Sequence, residues 1–236
     1  MGGGYWLYQG IFLVTSDDEP NTETTEDPLE NQFISLPRLE GEAQVELIVN
    51  GSPIVIQIDG TQAPITAGNF VDLVEKGVYD ELTFHRVVQS PEPFVVQGGD
   101  PQSKDPEVPT SRLGTGGYAD PSTGEERTIP LEILPAEGST PVYLRTFQEA
   151  EVTEQPAMPH RRGAVAMARS GVNTASSQFY IALADLDFLD GEYAVFGYVT
   201  EGMDAVDNIQ MGDKIESARV VEGSGNLKPG VTSAAD

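Results

Sequence analysis

With 236 residues and 39% apolar content, the chain can build one domain with a sizeable core and still carry extra segments. Its 13 Lys and Arg face 38 Asp and Glu, a net charge of −25. That disfavours nucleic acid and anionic membrane surfaces as partners, because phosphate attraction needs clustered cations. No cysteine is present, which excludes disulfides, thiol catalysis and thiolate metal sites. The two histidines, His85 and His160, are far apart and no metal motif accompanies them.

The acidic excess gives a solvated surface that keeps the chain soluble, and it also suits a saline medium. Residues 5–14 (YWLYQGIFLV) form a short apolar patch. It has the length of a signal-peptide core, yet the first basic residue of the chain is Arg38. The patch is either the remnant of an export or anchor segment or a sticky tail. No stretch approaches the roughly 20 apolar residues that span a bilayer. Residues 17–31 are acidic, rich in Thr and almost free of apolar side chains. Such a composition buries too little surface to offset its ordering entropy, so a disordered linker is expected. The expected division is 1–32 as patch and linker, 33–228 as the folded domain and 229–236 as a C-terminal tail.

Two β-rich runs, 44–49 and 54–59, flank Asn50-Gly51-Ser52-Pro53, a strong hairpin signal. A helix follows, with Thr66 as its N-cap, Phe70, Leu73 and Val74 on one face, and Gly77 just past its end. Residues 82–88 and 94–97 read as strands around a loop at Ser90-Pro91-Glu92-Pro93. Nine of the seventeen prolines fall within 101–160, so that stretch is expected to be a long inserted loop. One strand-like piece, 128–134, interrupts it. Strands resume at 164–168, 178–183, 194–199 and 215–221. Met203, Val206 and Ile209 suit a second short helix, ended by Gly212. The expected fold class is mainly β: a closed eight-stranded antiparallel barrel capped by two helices.

Generic catalytic motifs are absent. Gly114-Thr115-Gly116-Gly117 lacks the Lys-Ser/Thr and the strand–helix frame of a phosphate loop. No nucleophile elbow occurs. The specific signal is a series of runs in a fixed order. Phe84-His85-Arg86-Val87-Val88 precedes Phe94-Val95-Val96-Gln97-Gly98-Gly99-Asp100. Gly163-Ala164-Val165-Ala166-Met167-Ala168 precedes Ser176-Ser177-Gln178-Phe179-Tyr180-Ile181. Phe188-Leu189-Asp190-Gly191 and Val195-Phe196-Gly197 close the series. Over residues 43–223 the chain resembles the cyclophilin family of peptidyl-prolyl cis/trans isomerases. Leu36-Pro37-Arg38-Leu39-Glu40-Gly41 and the inserted loop look like cyanobacterial and chloroplast-lumen members.

The resemblance implies an isomerase that assists protein folding. The alternative is a proline-peptide-binding scaffold or chaperone module with little isomerase activity. Arg86 is implied as the catalytic donor, with Gln97 and Gln178 orienting it and lining the groove. Phe94, Val95, Tyr180 and Leu189 are implied as the proline pocket. Ala168 and Arg169 would offer backbone contacts to the peptide, and Phe188 and Tyr193 would sit at the rim. Phe179 and Phe196 are expected in the core, because alternation on a strand turns them away from the groove. No cofactor and no metal is implied. The implied partners are proline-containing peptides and folding proteins, with weak cyclosporin binding and a monomeric state. Export, to a periplasm or a thylakoid lumen, is the implied location. Four departures from the better-known pattern stand out: Val95 for Met, Arg169 for Asn, Tyr180 for Phe, and Phe188 with Tyr193 for Trp and His. The Tyr180 hydroxyl needs water or a partner.

Overall fold

The computed structural model describes residues 33–231. The apolar patch at 5–14, the acidic run at 17–31 and all but the first residues of the expected C-terminal tail lie outside that span.

The framework is an eight-stranded antiparallel sheet. Its strands are β2 (Glu42–Val49), β3 (Ser52–Asp59), β4 (Arg86–Val87), β5 (Val95–Gly98), β8 (Ala164–Met167), β9 (Phe179–Ala182), β10 (Val195–Glu201) and β11 (Ile215–Glu222). Their order across the sheet is β11-β2-β3-β10-β8-β9-β5-β4. The β2–β3 hairpin turns on Asn50 and Gly51, both at positive φ (50° and 71°), as a two-residue primed turn requires. Alternation then sends Val45, Leu47, Ile54, Ile56 and Ile58 into the core.

The edge strands β4 and β11 are joined by residues that precede them. Thr83 bridges Lys214, Phe84 N–H donates to the Asp213 carbonyl at 2.8 Å, and Ile215 N–H donates to the Leu82 carbonyl at 2.8 Å. The sheet thus curls back on itself, though only Arg86–Val87 of the expected strand at 82–88 pairs as a strand with β5. Helix α1 (Pro64–Glu75) packs Phe70 against Tyr79, Phe179 and Phe196 at centroid distances of 5.1, 5.3 and 4.9 Å. Phe179 and Phe196 are fully buried, as the strand period predicted.

Several expectations are corrected. Thr66 is not the N-cap. Helix α1 begins at Pro64, whose fixed φ and missing N–H suit the first helical position. The cap comes instead from Glu132, whose carboxylate accepts the amides of Ile65 and Thr66. Gly77, at φ +66°, does follow the helix as expected. Helix α2 (Met203–Asp207) stops well before Gly212, and Gly212 N–H instead donates to the Phe84 carbonyl at 2.9 Å, where the sheet edges meet. A strand pair that sequence patterning missed, β1 (Arg38–Leu39) with β12 (Leu227–Lys228), is too short to leave a periodic signal.

Residues 101–160 are docked on the barrel. They contain 3-10 turns at Pro101–Lys104 and Thr110–Arg112, and a small hairpin of β6 (Glu132–Ile133) and β7 (Val142–Tyr143). Of the strand expected at 128–134, only β6 forms a strand; Ile129 makes a lone bridge to Ala175. Leu131, Ile133 and Phe147 bury against Ala194 in a separate apolar cluster. Among the described residues, no helix is long and apolar enough to cross a membrane.

Candidate active site

Strand register assembles the site. Arg86 on β4 stands opposite Gln97 on β5, and Gln97 stands opposite Tyr180 on β9. Three side chains from three segments therefore line up across the sheet. Val95 and Gln97 share the groove face, while Val96 between them is fully buried in the core.

A chain of directed hydrogen bonds fixes the polar groups. Arg86 Nη1 donates to Gln97 Oε1 at 3.3 Å. Gln97 Nε2 donates to Gln178 Oε1 at 3.1 Å, and Gln178 Nε2 donates to the Gly116 carbonyl at 2.7 Å. Each amide is oriented by the next, and the chain ends on the segment expected to be a long inserted loop. The Arg86 guanidinium also lies 5.3 Å from the centroid of the Phe94 ring, within cation–π range.

Beside Arg86 opens a cavity of about 150 Å³. Phe94, Val95, Tyr180, Leu189 and Tyr193 supply its apolar and aromatic wall; Arg86, Gln97, Ala168 and Arg169 complete it. Its lining holds two guanidinium groups and no carboxylate, in a chain that is otherwise strongly acidic. A larger cavity of about 490 Å³ shares Gln97, Ala168 and Arg169, and extends along Gly114-Thr115-Gly116. The buried Asp100 carboxylate holds that loop by accepting the amides of Gly114 at 2.6 Å and Gly116 at 3.2 Å. A Cβ on Gly117 would come within 2.7 Å of the buried Ser176 Oγ, which accepts the Tyr118 amide, so a glycine here allows the close packing.

The structure brings ten of the eleven sequence-predicted residues to these two cavities. Phe188 is the exception: it is 69% exposed and stacks on the outer side of Phe94, with centroids 6.0 Å apart and planes 18° apart. Ala168 is at the wall, but its amide is committed to the Gln178 carbonyl at 2.9 Å, so that amide is not free for a peptide. Arg169 contributes its side chain as well as its backbone. Its guanidinium lies 4.6 Å from the Tyr193 centroid and donates to the Glu192 carbonyl at 2.7 Å.

Sequence reasoning missed His160. It is fully buried, and its Nε2 lies 2.9 Å from the Tyr180 hydroxyl. The signal was there: a tyrosine in a pocket usually lined by phenylalanine needs a polar partner, and the chain has only two histidines. Burial keeps the imidazole below its ordinary pKa and holds the Tyr180 phenol well above its own.

Comparison with known proteins agrees with this arrangement. The family model described as "Cyclophilin type peptidyl-prolyl cis-trans isomerase/CLD" matches residues 44–225. The Synechocystis sp. protein sll0408, named for the thylakoid lumen and for peptidyl-prolyl cis-trans isomerisation, is 41% identical over 210 residues, covering 84% of this chain and 52% of its own. The chloroplastic peptidyl-prolyl cis-trans isomerase CYP38 of Arabidopsis thaliana is 38% identical over 215 residues, covering 83% and 46%. The chain thus spans about half the length of these two relatives. Among solved structures, a cyclophilin-type isomerase of Cryptosporidium parvum superposes with a TM-score of 0.56 at 25% identity, covering 77% of this chain and 98% of that one. Sequence order, sheet register and these matches lead to one assignment: the chain belongs to the cyclophilin-type peptidyl-prolyl cis-trans isomerase family.

Proposed function

We propose that this chain accelerates rotation about X-Pro peptide bonds, with Arg86 as the catalytic donor. Amide resonance makes the uncatalysed rotation take tens to hundreds of seconds. Rotation forms no covalent bond to the enzyme and moves no proton. In the twisted transition state the proline nitrogen becomes pyramidal and regains a lone pair. A donor aimed at that nitrogen stabilises the transition state over both ground states, which is what catalysis requires. Arginine suits the task because it is permanently charged and rigidly forked.

The observation that carries this reading is Arg86 held by Gln97 at the edge of a small apolar cavity. The cavity seats the proline ring on Phe94, Val95, Tyr180 and Leu189 while the preceding carbonyl swings past Arg86. Gln97 and Gln178 keep the guanidinium oriented, so little reorganisation is needed at the moment of rotation. Proline-containing peptides and folding proteins are the substrates, and the chain works as a monomer. The relatives named for thylakoid lumen and chloroplast support an exported location.

The test is a coupled assay on a proline tetrapeptide. Turnover that depends on Arg86 is the expected result. Peptide binding without turnover would replace this reading with a proline-peptide-binding scaffold.

A further inference from the structure

The Tyr180 side chain poses a local problem. It is 5% exposed and forms part of the apolar wall of the cavity beside Arg86. A buried hydroxyl without a partner costs about 1–3 kcal/mol. Left free to turn toward the cavity, it would put a polar atom where an apolar ring has to sit.

His160 removes that problem. It is the last residue of the 101–160 stretch, is fully buried and does not line the cavity. Its Nε2 is 2.9 Å from the Tyr180 hydroxyl, and the two rings lie 16° from parallel with centroids 6.1 Å apart. Its Nδ1 is 2.8 Å from Asp190 Oδ1, and the same carboxylate oxygen accepts the His160 backbone amide at 2.7 Å. Asp190 in turn directly follows Phe188 and Leu189.

The polarity of this chain is determined. An ionised carboxylate only accepts, so Nδ1 must carry the imidazole proton. Nε2 then offers a lone pair, and the Tyr180 hydroxyl must donate to it. The His160 carbonyl also accepts the Leu186 amide at 2.7 Å, which ties the imidazole to the 186–190 segment.

We propose that His160 and Asp190 are positioning residues for the proline pocket: they hold the Tyr180 hydroxyl away from the cavity so that its ring presents only an apolar face. This inference rests on the reading of the cavity given above. It assigns a substrate-site role to the end of the inserted segment.

The test combines kinetics with NMR on the full chain. His160→Ala frees the hydroxyl, so KM for a proline tetrapeptide should rise roughly fivefold or more, the lower end for an unsatisfied buried hydroxyl. Its kcat should stay within about twofold, because the Arg86–Gln97–Gln178 chain is untouched. Adding Tyr180→Phe to His160→Ala removes the hydroxyl and should return KM to within about threefold of wild type. A purely structural His160 would give no such rescue.

In wild type, 15N NMR should show a protonated Nδ1 and an unprotonated Nε2 for His160 at neutral pH. Asp190→Ala, which removes the acceptor of both the His160 amide and Nδ1–H, should release the fixed tautomer and raise KM as His160→Ala does. It serves as the second variant if His160→Ala does not fold. An unchanged KM in the folded single variants, an absent rescue in the double, or a proton on Nε2 in wild type would overturn the proposal. If wild type turns over no peptide, the isomerase reading falls, and the same variants decide this proposal through peptide Kd and the imidazole signals.

Discussion

Glu132 and Thr66 stand 66 positions apart, yet Glu132 Oε2 accepts both the Thr66 amide at 2.8 Å and the Thr66 hydroxyl at 2.9 Å. The same oxygen accepts the Ile65 amide at 3.1 Å. A carboxylate from the inserted segment thereby caps the N-terminus of α1, where free amides and the helix dipole favour negative charge.

Glu132→Ala should therefore destabilise the barrel. It leaves three buried donors unsatisfied, a loss on the order of 2–3 kcal/mol. At roughly 2–4 °C per kcal/mol for a domain of this size, the melting temperature should fall by about 5–10 °C. Thermal unfolding followed by circular dichroism measures this. A shift under about 2 °C would mean that water replaces the carboxylate at no cost.

Arg86→Ala should lower kcat/KM for a proline tetrapeptide by roughly 10²–10³-fold, the loss expected for one preorganised transition-state donor. Arg86→Lys should recover only part, since an ammonium cannot reproduce the fork that Gln97 holds. NMR titration should show that the alanine variant still binds the peptide, because the apolar wall remains. Wild-type turnover by a folded Arg86→Ala protein would refute the assigned mechanism.

Activity should be flat from about pH 6 to 8, because rotation transfers no proton and burial keeps His160 below its usual titration range. Stability should behave differently. Above about pH 6.5 the imidazole is neutral in both folded and unfolded chains, so it contributes no slope. Below that value the unfolded chain takes up a proton that the folded chain refuses, and stability falls until the folded pKa is reached. The slope for one such proton is at most about 1.4 kcal/mol per pH unit. His160→Gln, which cannot titrate, should show a shallower fall in melting temperature between about pH 6.5 and 5. Parallel curves for the two proteins would show that the folded imidazole titrates normally.

Salt should stabilise the chain. Self-repulsion among 25 excess negative charges opposes compaction, and salt screens it over about 8–10 Å at physiological strength. The melting temperature should climb steadily from low salt to about 1 M NaCl. A flat or falling series would mean that the short ion pairs of the surface, such as Arg162–Asp207 at 2.6 Å, outweigh the net repulsion.

Cyclosporin should bind less tightly here than to family members with Trp at the position of Phe188. The exposed phenyl ring offers no indole N–H and less contact area. Phe188→Trp should strengthen inhibition of peptide turnover and leave turnover itself nearly unchanged, since Phe188 lies outside the cavity. Equal inhibition of both proteins would end this assignment.

The sequence by itself determined the elements whose signal is local. The Asn50-Gly51 turn had to be a tight hairpin, because few other residues tolerate two successive positive φ angles. Strand alternation put Phe179 and Phe196 in the core and Gln178 and Tyr180 at the groove. The ordered runs around Arg86, Gln97 and Gln178 identified the family and picked out ten residues that the fold gathers at the two cavities. Tertiary structure alone decided what depends on pairs distant in sequence. Nothing near Thr66 announced that Glu132 would cap α1, and although the Tyr180 hydroxyl called for a polar partner, nothing near it singled out Asp190 as the anchor of His160. Capping and tautomer selection are set by which buried donor meets which buried acceptor. That choice is made only when the chain closes on itself, because an isolated polar group is satisfied equally well by water until burial removes the water.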